Sequence, residues 1–415
     1  MNWLTWMFVA ALAAETAVRL WLSSRQIAAV RAHRNRVPNA FHGQIALADQ
    51  QKAADYTVAR TQLGRWATLV ESITKLWFTV GGGLAAVDAS IDQLKLSEPW
   101  HGVLLILTVF LTLQLIGLPF TLWKTFRIEA RFGFNRTSAR LFAVDLAKRL
   151  LLGLVLGAPL ALATLSLMER AGTWWWAWAW LVWLGVTVGL TWAAPRFIAP
   201  LFNRFTAITD ARLKERVAAL LERCGYTAGG GVFVMDGSRR SAHGNAYFTG
   251  IGRNKRIVFF DTLLARIELK EIEAVLAHEL GHFRLHHVRQ RLVASLLGAL
   301  GGLALLGVLA RTPAFFSAFG VPESASMALL LFALIVPAFM FFATPIESWW
   351  SRRQELAADD FAAKYSAAGD LVTALVKLYR DNATTLTPDR VHSAFYDSHP
   401  SAIERIARLN QLSGA

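Results

Sequence analysis

Residues 277–282 read Ala-His-Glu-Leu-Gly-His. The surrounding apolar spacing predicts a helix over about 268–288, so the two histidines share one face with their imidazoles converging, as two nitrogens must to hold one zinc ion. Glu279 follows the first histidine directly, where its carboxylate can take a proton from a water activated at that metal. A catalytic zinc usually has three protein ligands, so His278 and His282 need one more. His286 and His287 are read as polar helix-end residues rather than further ligands. The third ligand is expected in Ser351-Arg-Arg-Gln-Glu-Leu-Ala-Ala-Asp359, where Glu355 and Asp359 stand four apart on a predicted helix. Taken alone, such an acid pair reads as a solvated face. Two apolar segments separate it from the histidines, however, and two membrane crossings return the chain to the same side, so Glu355 can reach the same metal. Asp359, one turn on, can accept the Nδ1 proton of a ligand histidine, His278 before the other, and fix its tautomer.

The elements that must position these residues are mostly membrane helices. Of the 415 residues, 54% are apolar and 17% charged, against ~25% charged in soluble domains. This predicts a predominantly α-helical, polytopic membrane protein. Seven stretches are long and apolar enough to cross a bilayer, near 2–22, 66–90, 102–123, 141–168, 174–194, 291–311 and 325–349. The fifth carries a crowd of tryptophans from Trp174 to Trp183 at one end, as expected at headgroup level. Glu71, Lys75 and the Gly81-Gly82-Gly83 run dilute the second. The first carries Glu15 and Arg19 and no basic residue before its apolar run, which predicts an uncleaved helix. Glu15 with Arg19, and Glu71 with Lys75, are spaced i, i+4; they read either as self-neutralising pairs or as the lining of a water-filled interior. Asp145, Lys148 and Arg149 lie near a helix end and are given no function.

Basic residues set the orientation. The connection 23–65 carries Arg25, Arg31, Arg34, Arg36, Lys52, Arg60 and Arg65, and 124–140 carries Lys124, Arg127, Arg131, Arg136 and Arg140, whereas the alternate connections hold one each. The N-terminus is therefore expected outside and the chemistry-bearing segments in the cytoplasm. The domain reading is 1–194 with five membrane helices, 195–290 as a catalytic segment, 291–349 with two more membrane helices, and 350–415 as a second cytoplasmic segment. Within 195–290, a charged stretch at 208–224 with Leu213, Val217, Leu220 and Leu221 on one face predicts a helix. The runs 231–235, 245–249 and 256–260 predict a small antiparallel sheet. Its edge could hold an extended peptide by the main chain, or the sheet could simply pack on the neighbouring helix. The single Cys224 excludes an intramolecular disulfide. The net charge of +14 follows the membrane loops rather than forming one patch, so no nucleic-acid partner is expected; membrane lipids are.

The chain resembles the type I CAAX prenyl endopeptidases, integral-membrane zinc proteases also called CAAX prenyl protease 1. The ordered motifs that carry the resemblance are Arg131-Phe-Gly-Phe-Asn135, Ile198-Ala-Pro-Leu-Phe-Asn203, Arg240-Ser-Ala-His-Gly-Asn-Ala-Tyr-Phe248, His278 to His282, Ser351 to Asp359, and Ser398-His-Pro400 with Arg405. One departure is Thr206-Ala207, where the family usually has proline after the Phe-Thr pair; it is expected to affect only a local turn. The resemblance implies seven helices around a water-filled chamber, with a zincin-like catalytic domain and one Zn2+ at the cytoplasmic side. It also implies that Asn245 and the strand around it, Ala246 and Tyr247, bind substrate main chain, and that His399 helps hold the oxyanion, with Tyr247 as a further donor to it. Outside the family, His399 would read as a capping or core histidine. Arg405 is either a salt-bridge partner of Asp359 or Glu355, or a helper at the oxyanion.

The expected activity is metal-assisted peptide hydrolysis on a peptide or protein substrate; the resemblance implies removal of a C-terminal tripeptide from a prenylated-type protein. The Ala-, Arg- and Leu-rich composition points to a bacterial member and hence an inner membrane, where prenylation is not a typical pathway. A quality-control protease for damaged membrane proteins is the alternative enzyme. A transporter or lipid receptor with a structural zinc is the alternative from another class; it would want a fourth protein ligand and leave Glu279 without a task.

Overall fold

The computed structural model of the chain describes residues 2–226, 231–250 and 256–413. The first half is helical: α1 (Trp3–Ala32), α2 (Leu47–Phe78), α3 (Gly83–Asp92), α4 (Trp100–Trp123), α5 (Ala139–Arg170), α6 (Trp175–Ala193) and a short α7 (Ala199–Phe202). Then come β1 (Phe205–Ala207), α8 (Ala211–Arg223), β2 (Val232–Met235), β3 (Ala246–Thr249), β4 (Arg256–Phe260), α9 (Asp261–Leu264) and α10 (Leu269–Arg284). The remainder is α11 (His287–Leu309), α12 (Pro313–Ser317), α13 (Ala325–Met340), α14 (Thr344–Tyr365), α15 (Ala368–Asp381), α16 (Arg390–Tyr396) and α17 (Ala402–Ser413).

Among the described residues, six helical stretches are long and apolar enough to cross a membrane: α1, α4 with its continuation to Glu129, α5, Gly172–Phe202, α11, and α13 running on into α14. The protein is a multi-pass membrane protein. The expected second span, 66–90, is not one helix: α2 ends at Phe78 and α3 starts at Gly83, with Gly82 taking φ +78 at the break, a conformation glycine adopts without a Cβ clash. Contacts run from α1 to α2, α4, α5, α6, α11 and α13 and back to α1, which closes a ring. In α5 and in Gly172–Phe202 only 6% of the most apolar stretch is buried. Each packs on its neighbours in the ring and leaves most of its apolar surface uncovered, as a helix facing lipid can. One end of that ring is plugged by a core that includes Phe8, Phe78, Leu84, Leu105, Leu165, Trp175, Phe316 and Leu331.

The charges expected to pair along their own helices also pair between them. Arg19 holds Glu15 at 2.6 Å and reaches Glu71 at 3.4 Å, while Lys75 holds Glu71 at 2.7 Å and lies 3.9 Å from Glu15. Alternating signs on α1 and α2 thus neutralise one another across the ring wall.

The sheet has the order β1-β2-β4-β3. It is mixed rather than antiparallel as expected, because β2 and β4 are parallel, pairing Val232 with Ile257 and Met235 with Phe260. The antiparallel expectation assumed that consecutive strands are neighbours. Instead the 236–245 connection carries the chain past the place of β4 to the far edge, and β4 returns between β2 and β3. That connection is anchored from outside the sheet: Arg240 pairs with Asp145 of α5 through two hydrogen bonds of 2.8 and 3.0 Å and with Asn203 at 3.0 Å. Asp145, read as a helix-end charge without a function, is therefore an anchor. Thr206-Ala207 also differs from expectation, lying in strand β1 with Ala207 opposite Phe233. The expected turn between the last two strands falls on 251–255, outside the described residues.

Removing Arg240 would leave Asp145, 4% exposed, without its partner. Arg240→Ala is expected to destabilise the purified protein by about 3 kcal/mol, read as a fall in its thermal midpoint. An unchanged midpoint would show that this pair does not fasten the sheet to α5.

Candidate active site

The apolar face of α10 that includes Ile272, Val275, Leu276 and Leu280 is buried in the core shared with α8, β4 and α15, which fixes the helix and turns His278 and His282 toward α14. Gly281 lets α14 come close: a Cβ there would stand 3.1 Å from Ala358 Cα and 3.1 Å from Phe361 Cβ. Glu355 and Asp359 on α14 are buried against the two histidines. The Nε2 atoms of His278 and His282 are 3.3 Å apart, and each lies 3.3 Å from an oxygen of Glu355. The donor atoms of these three residues all fall within 4.8 Å of one another.

A hydrogen bond of 2.9 Å links His278 Nδ1 to Asp359 Oδ1, as expected. Arg405, from α17, grips the same carboxylate through Nε at 2.8 Å and an Nη at 2.6 Å, and its Nη2 lies 3.5 Å from His278 Nδ1. Of the roles open to Arg405, its contacts are those of the salt bridge to Asp359. His282 has a partner that sequence reasoning missed. His286 takes φ +60 in the turn after α10, which buries His287 and brings its Nδ1 to 3.1 Å from His282 Nδ1. One of the two must donate, and a proton on His282 Nδ1 leaves Nε2 free. The signal available was a histidine just past the end of α10, five residues from His282, but the reversal that folds it back was not.

The arrangement suits a divalent cation. Separations of 3.3 Å are those of neighbouring ligands on a tetrahedral ion with bonds of about 2.0–2.1 Å. Glu355 Oε2 is buried without a hydrogen-bond partner. Burial alone would push the His278 imidazole down, yet hydrogen bonds to Asp359 and Glu355 carry it up to about 9, so the carboxylates make this a place that favours positive charge. Glu279 stands beside it; desolvation pushes its carboxyl above the usual range, opposed by His278 and His282.

The remaining expected residues are placed as follows. His399, in the turn between α16 and α17, brings Nε2 to 3.5 Å from Glu355 Oε2, with Nδ1 at 2.9 Å from Ser398 Oγ. Asn245 is exposed at the start of β3; its main-chain oxygen accepts from Phe260 N at 3.0 Å and its side-chain oxygen from Ala246 N at 2.9 Å. By antiparallel alternation, Asn245 and Tyr247 face β4, so the main-chain groups of Ala246 and Phe248 point to the other side of β3, which is unpaired among the described residues. Tyr247 does not join the cluster: its hydroxyl lies 3.9 Å from Met235 Sδ, on the sheet face opposite Ala246 and Phe248, which pack toward the core that holds α10.

A histidine pair and a carboxylate converging under a ring of membrane helices define a membrane-embedded metallopeptidase. Residues 26–204 match the family model described as CAAX prenyl protease N-terminal, five membrane helices, and residues 207–413 match peptidase family M48. The chain is 32% identical over 339 residues to CAAX prenyl protease 1 homolog of Arabidopsis thaliana, covering 80% of this chain and 78% of the relative. It is 34% identical over 318 residues to CAAX prenyl protease 1 of Saccharomyces cerevisiae, covering 72% and 70%. The crystal structure of S. mikatae Ste24p matches with a TM-score of 0.91 and 27% identity over 99% of both chains. The chain belongs to peptidase family M48, in its CAAX prenyl protease branch, and membership implies a metal-dependent peptide hydrolase acting on peptide substrates in a membrane.

With Arg405 gone, Asp359, which has no solvent exposure, would keep only His278. Arg405→Ala and Arg405→Met are both expected to cost about 3–5 kcal/mol, measured by denaturant or thermal unfolding. Full stability in the Met variant would mean that the side chain contributes packing rather than charge.

Proposed function

We propose that the chain is a zinc endopeptidase that releases a C-terminal tripeptide from a prenylated-type protein substrate. The observation that carries the reading is the convergence of His278, His282 and Glu355 donor atoms beside Glu279. These three residues would hold one Zn2+, which when bound supplies Lewis acidity toward a water and the scissile carbonyl. Glu279 takes the proton of the attacking water and hands it to the leaving amine. His399 donates an imidazole N–H to the oxyanion. Asp359 holds His278 in the tautomer that frees Nε2, and Arg405 holds Asp359. Asn245, Ala246 and the open edge of β3 hold substrate main chain as an added strand. Tyr247 contributes through its place in that strand; its hydroxyl gives no support to an oxyanion role.

The substrate class rests on the names of the Arabidopsis and yeast relatives and on a site at the mouth of a membrane ring. In location, α2 crosses as a seventh span, the N-terminus lies outside, and the site faces the cytoplasm of a bacterial inner membrane. Two contacts support the shared face: Arg25 pairs with Asp389 at 2.9 Å, and Phe134 stacks on His243 at 4.3 Å. Both join the basic connections 23–65 and 124–140 to segments that carry the site, and basic connections stay inside.

The test is mass-spectrometric cleavage of a farnesylated CAAX peptide and its unmodified twin by purified, zinc-loaded protein. Wild type is expected to release the tripeptide, faster from the lipidated peptide, while Glu279→Gln keeps its zinc and loses turnover by about 10²–10⁴-fold. Equal cutting of both peptides at internal bonds would replace this reading with a quality-control protease. Zinc bound with no cutting in either would move weight to a different substrate or to the non-enzymatic reading, and wild-type turnover in Glu279→Gln would remove Glu279 as the base.

A further inference from the structure

A second cluster of metal-type donors lies at the plugged end of the ring. Asp88 and Asp92 stand four apart on α3, and His101 is the second residue of α4. Donor atoms of the three fall within 4.8 Å of one another. His101 is 8% exposed, and its Nε2 lies 3.1 Å from Asp92 Oδ1 and 3.6 Å from Asp88 Oδ1. Despite that proximity, Nε2 is sealed from solvent and makes no hydrogen bond. On the other side of the ring, Nδ1 is 3.4 Å from Glu98 Oε1. Glu98 is itself held, its Oε2 accepting from Gly102 N at 3.3 Å.

The chemistry follows from the tautomer. An Nδ1–H directed at Glu98 Oε1, 3.4 Å away, leaves a lone pair at Nε2. Two carboxylate oxygens face the same space, so three electron-rich atoms converge with nothing between them to bond. A cation there converts mutual repulsion into coordination, and Asp92, with its side chain 68% exposed, leaves the outer side open to water. The pattern repeats that of His278, which has a carboxylate at Nδ1 and another at Nε2. One imidazole with carboxylates suits zinc better than magnesium or calcium, which prefer oxygen alone.

We propose that Asp88, Asp92 and His101 bind a second divalent transition-metal ion of the zinc class, with Glu98 orienting His101. The ion clips α3 to the start of α4 and so closes the plug of the ring. From His101 the chain runs about 40 Å along α4 and its continuation before Glu129 meets His243 of the catalytic segment, at 3.4 Å. Occupancy is therefore structural and leaves the catalytic centre alone.

The experiment titrates purified full-length protein, its catalytic zinc in place, with zinc chloride, and reads bound zinc per chain by elemental mass spectrometry together with the thermal midpoint. Wild type is expected to take up a second zinc and rise in midpoint. Asp92→Asn, at an exposed side chain that folding tolerates, is expected to stop at one zinc with peptidase turnover unchanged, and Glu98→Gln to bind the second ion ~10–100-fold more weakly. A wild type that holds one zinc per chain up to submillimolar free metal would overturn the proposal and leave the cluster as a structural polar network. Undiminished second-site uptake in Asp92→Asn would overturn it as well, by placing the ion elsewhere.

Discussion

The architecture of the site depends on one buried carboxylate. Asp359 has no solvent exposure, and an ion so placed persists only when charge and hydrogen bonds compensate its lost hydration. Its two partners come from far apart in the chain: His278 on α10 and Arg405 on α17. Satisfying Asp359 therefore fixes three helices at once. Side-chain size on α10 decides whether this is possible, because the helices meet at Gly281 with α14 backbone 3.1 Å from where a Cβ would be. A larger residue there would move His282 and Glu355 apart in the same step. The motif residue between the two histidines is thus a packing requirement as well as a spacer.

Arg405 is itself held by apolar packing on both sides of α17. Leu409 enters the core that contains α10 and α15, while Ile406 joins Phe41 and Ile45 from the connection after α1. The first membrane connection thereby takes part in placing the far end of the chain. A second set of ties joins ring and sheet. His243 stacks on Phe134 and lies 3.4 Å from Glu129, which accepts from Tyr56 at 2.7 Å; Asn382 accepts from Gly244 N at 3.0 Å. These contacts, with the pair formed by Arg240 and Asp145, set where β3 begins and hence where its open edge lies relative to the histidines.

What was legible in the sequence was what local pattern encodes. Helical spacing put His278 and His282 on one face, counting crossings returned Glu355 to them, and the i, i+4 step placed Asp359 one turn beyond; the structure brings all four together. The burial of Leu213, Val217, Leu220 and Leu221 on α8 likewise follows their period. What was illegible needed non-local information. The parallel pairing of β2 with β4 depends on a connection anchored by Asp145, ninety-five positions from Arg240. The contact of His287 with His282 depends on one left-handed residue. The pairing of Glu71 and Lys75 on α2 with Arg19 and Glu15 depends on α1, a neighbour that no window along the chain contains.

The ring of helices leaves much of the apolar surface of α5 and Gly172–Phe202 uncovered, so its packing is concentrated at the ends. At one end the starts of α1, α4 and α6 and the ends of α2, α5 and α11 converge with α3, α12 and α13 into a single core. At the other, an ion pair and an aromatic stack fasten the membrane helices to the sheet's connection, and apolar packing joins the connection after α1 to α15 and α17. Between them the apolar stretches of α5 and Gly172–Phe202 remain open. The cluster of His278, His282 and Glu355 sits where the second set of fastenings gathers, so the contacts that join the membrane helices to the sheet and to α15 and α17 also help hold these three residues in register.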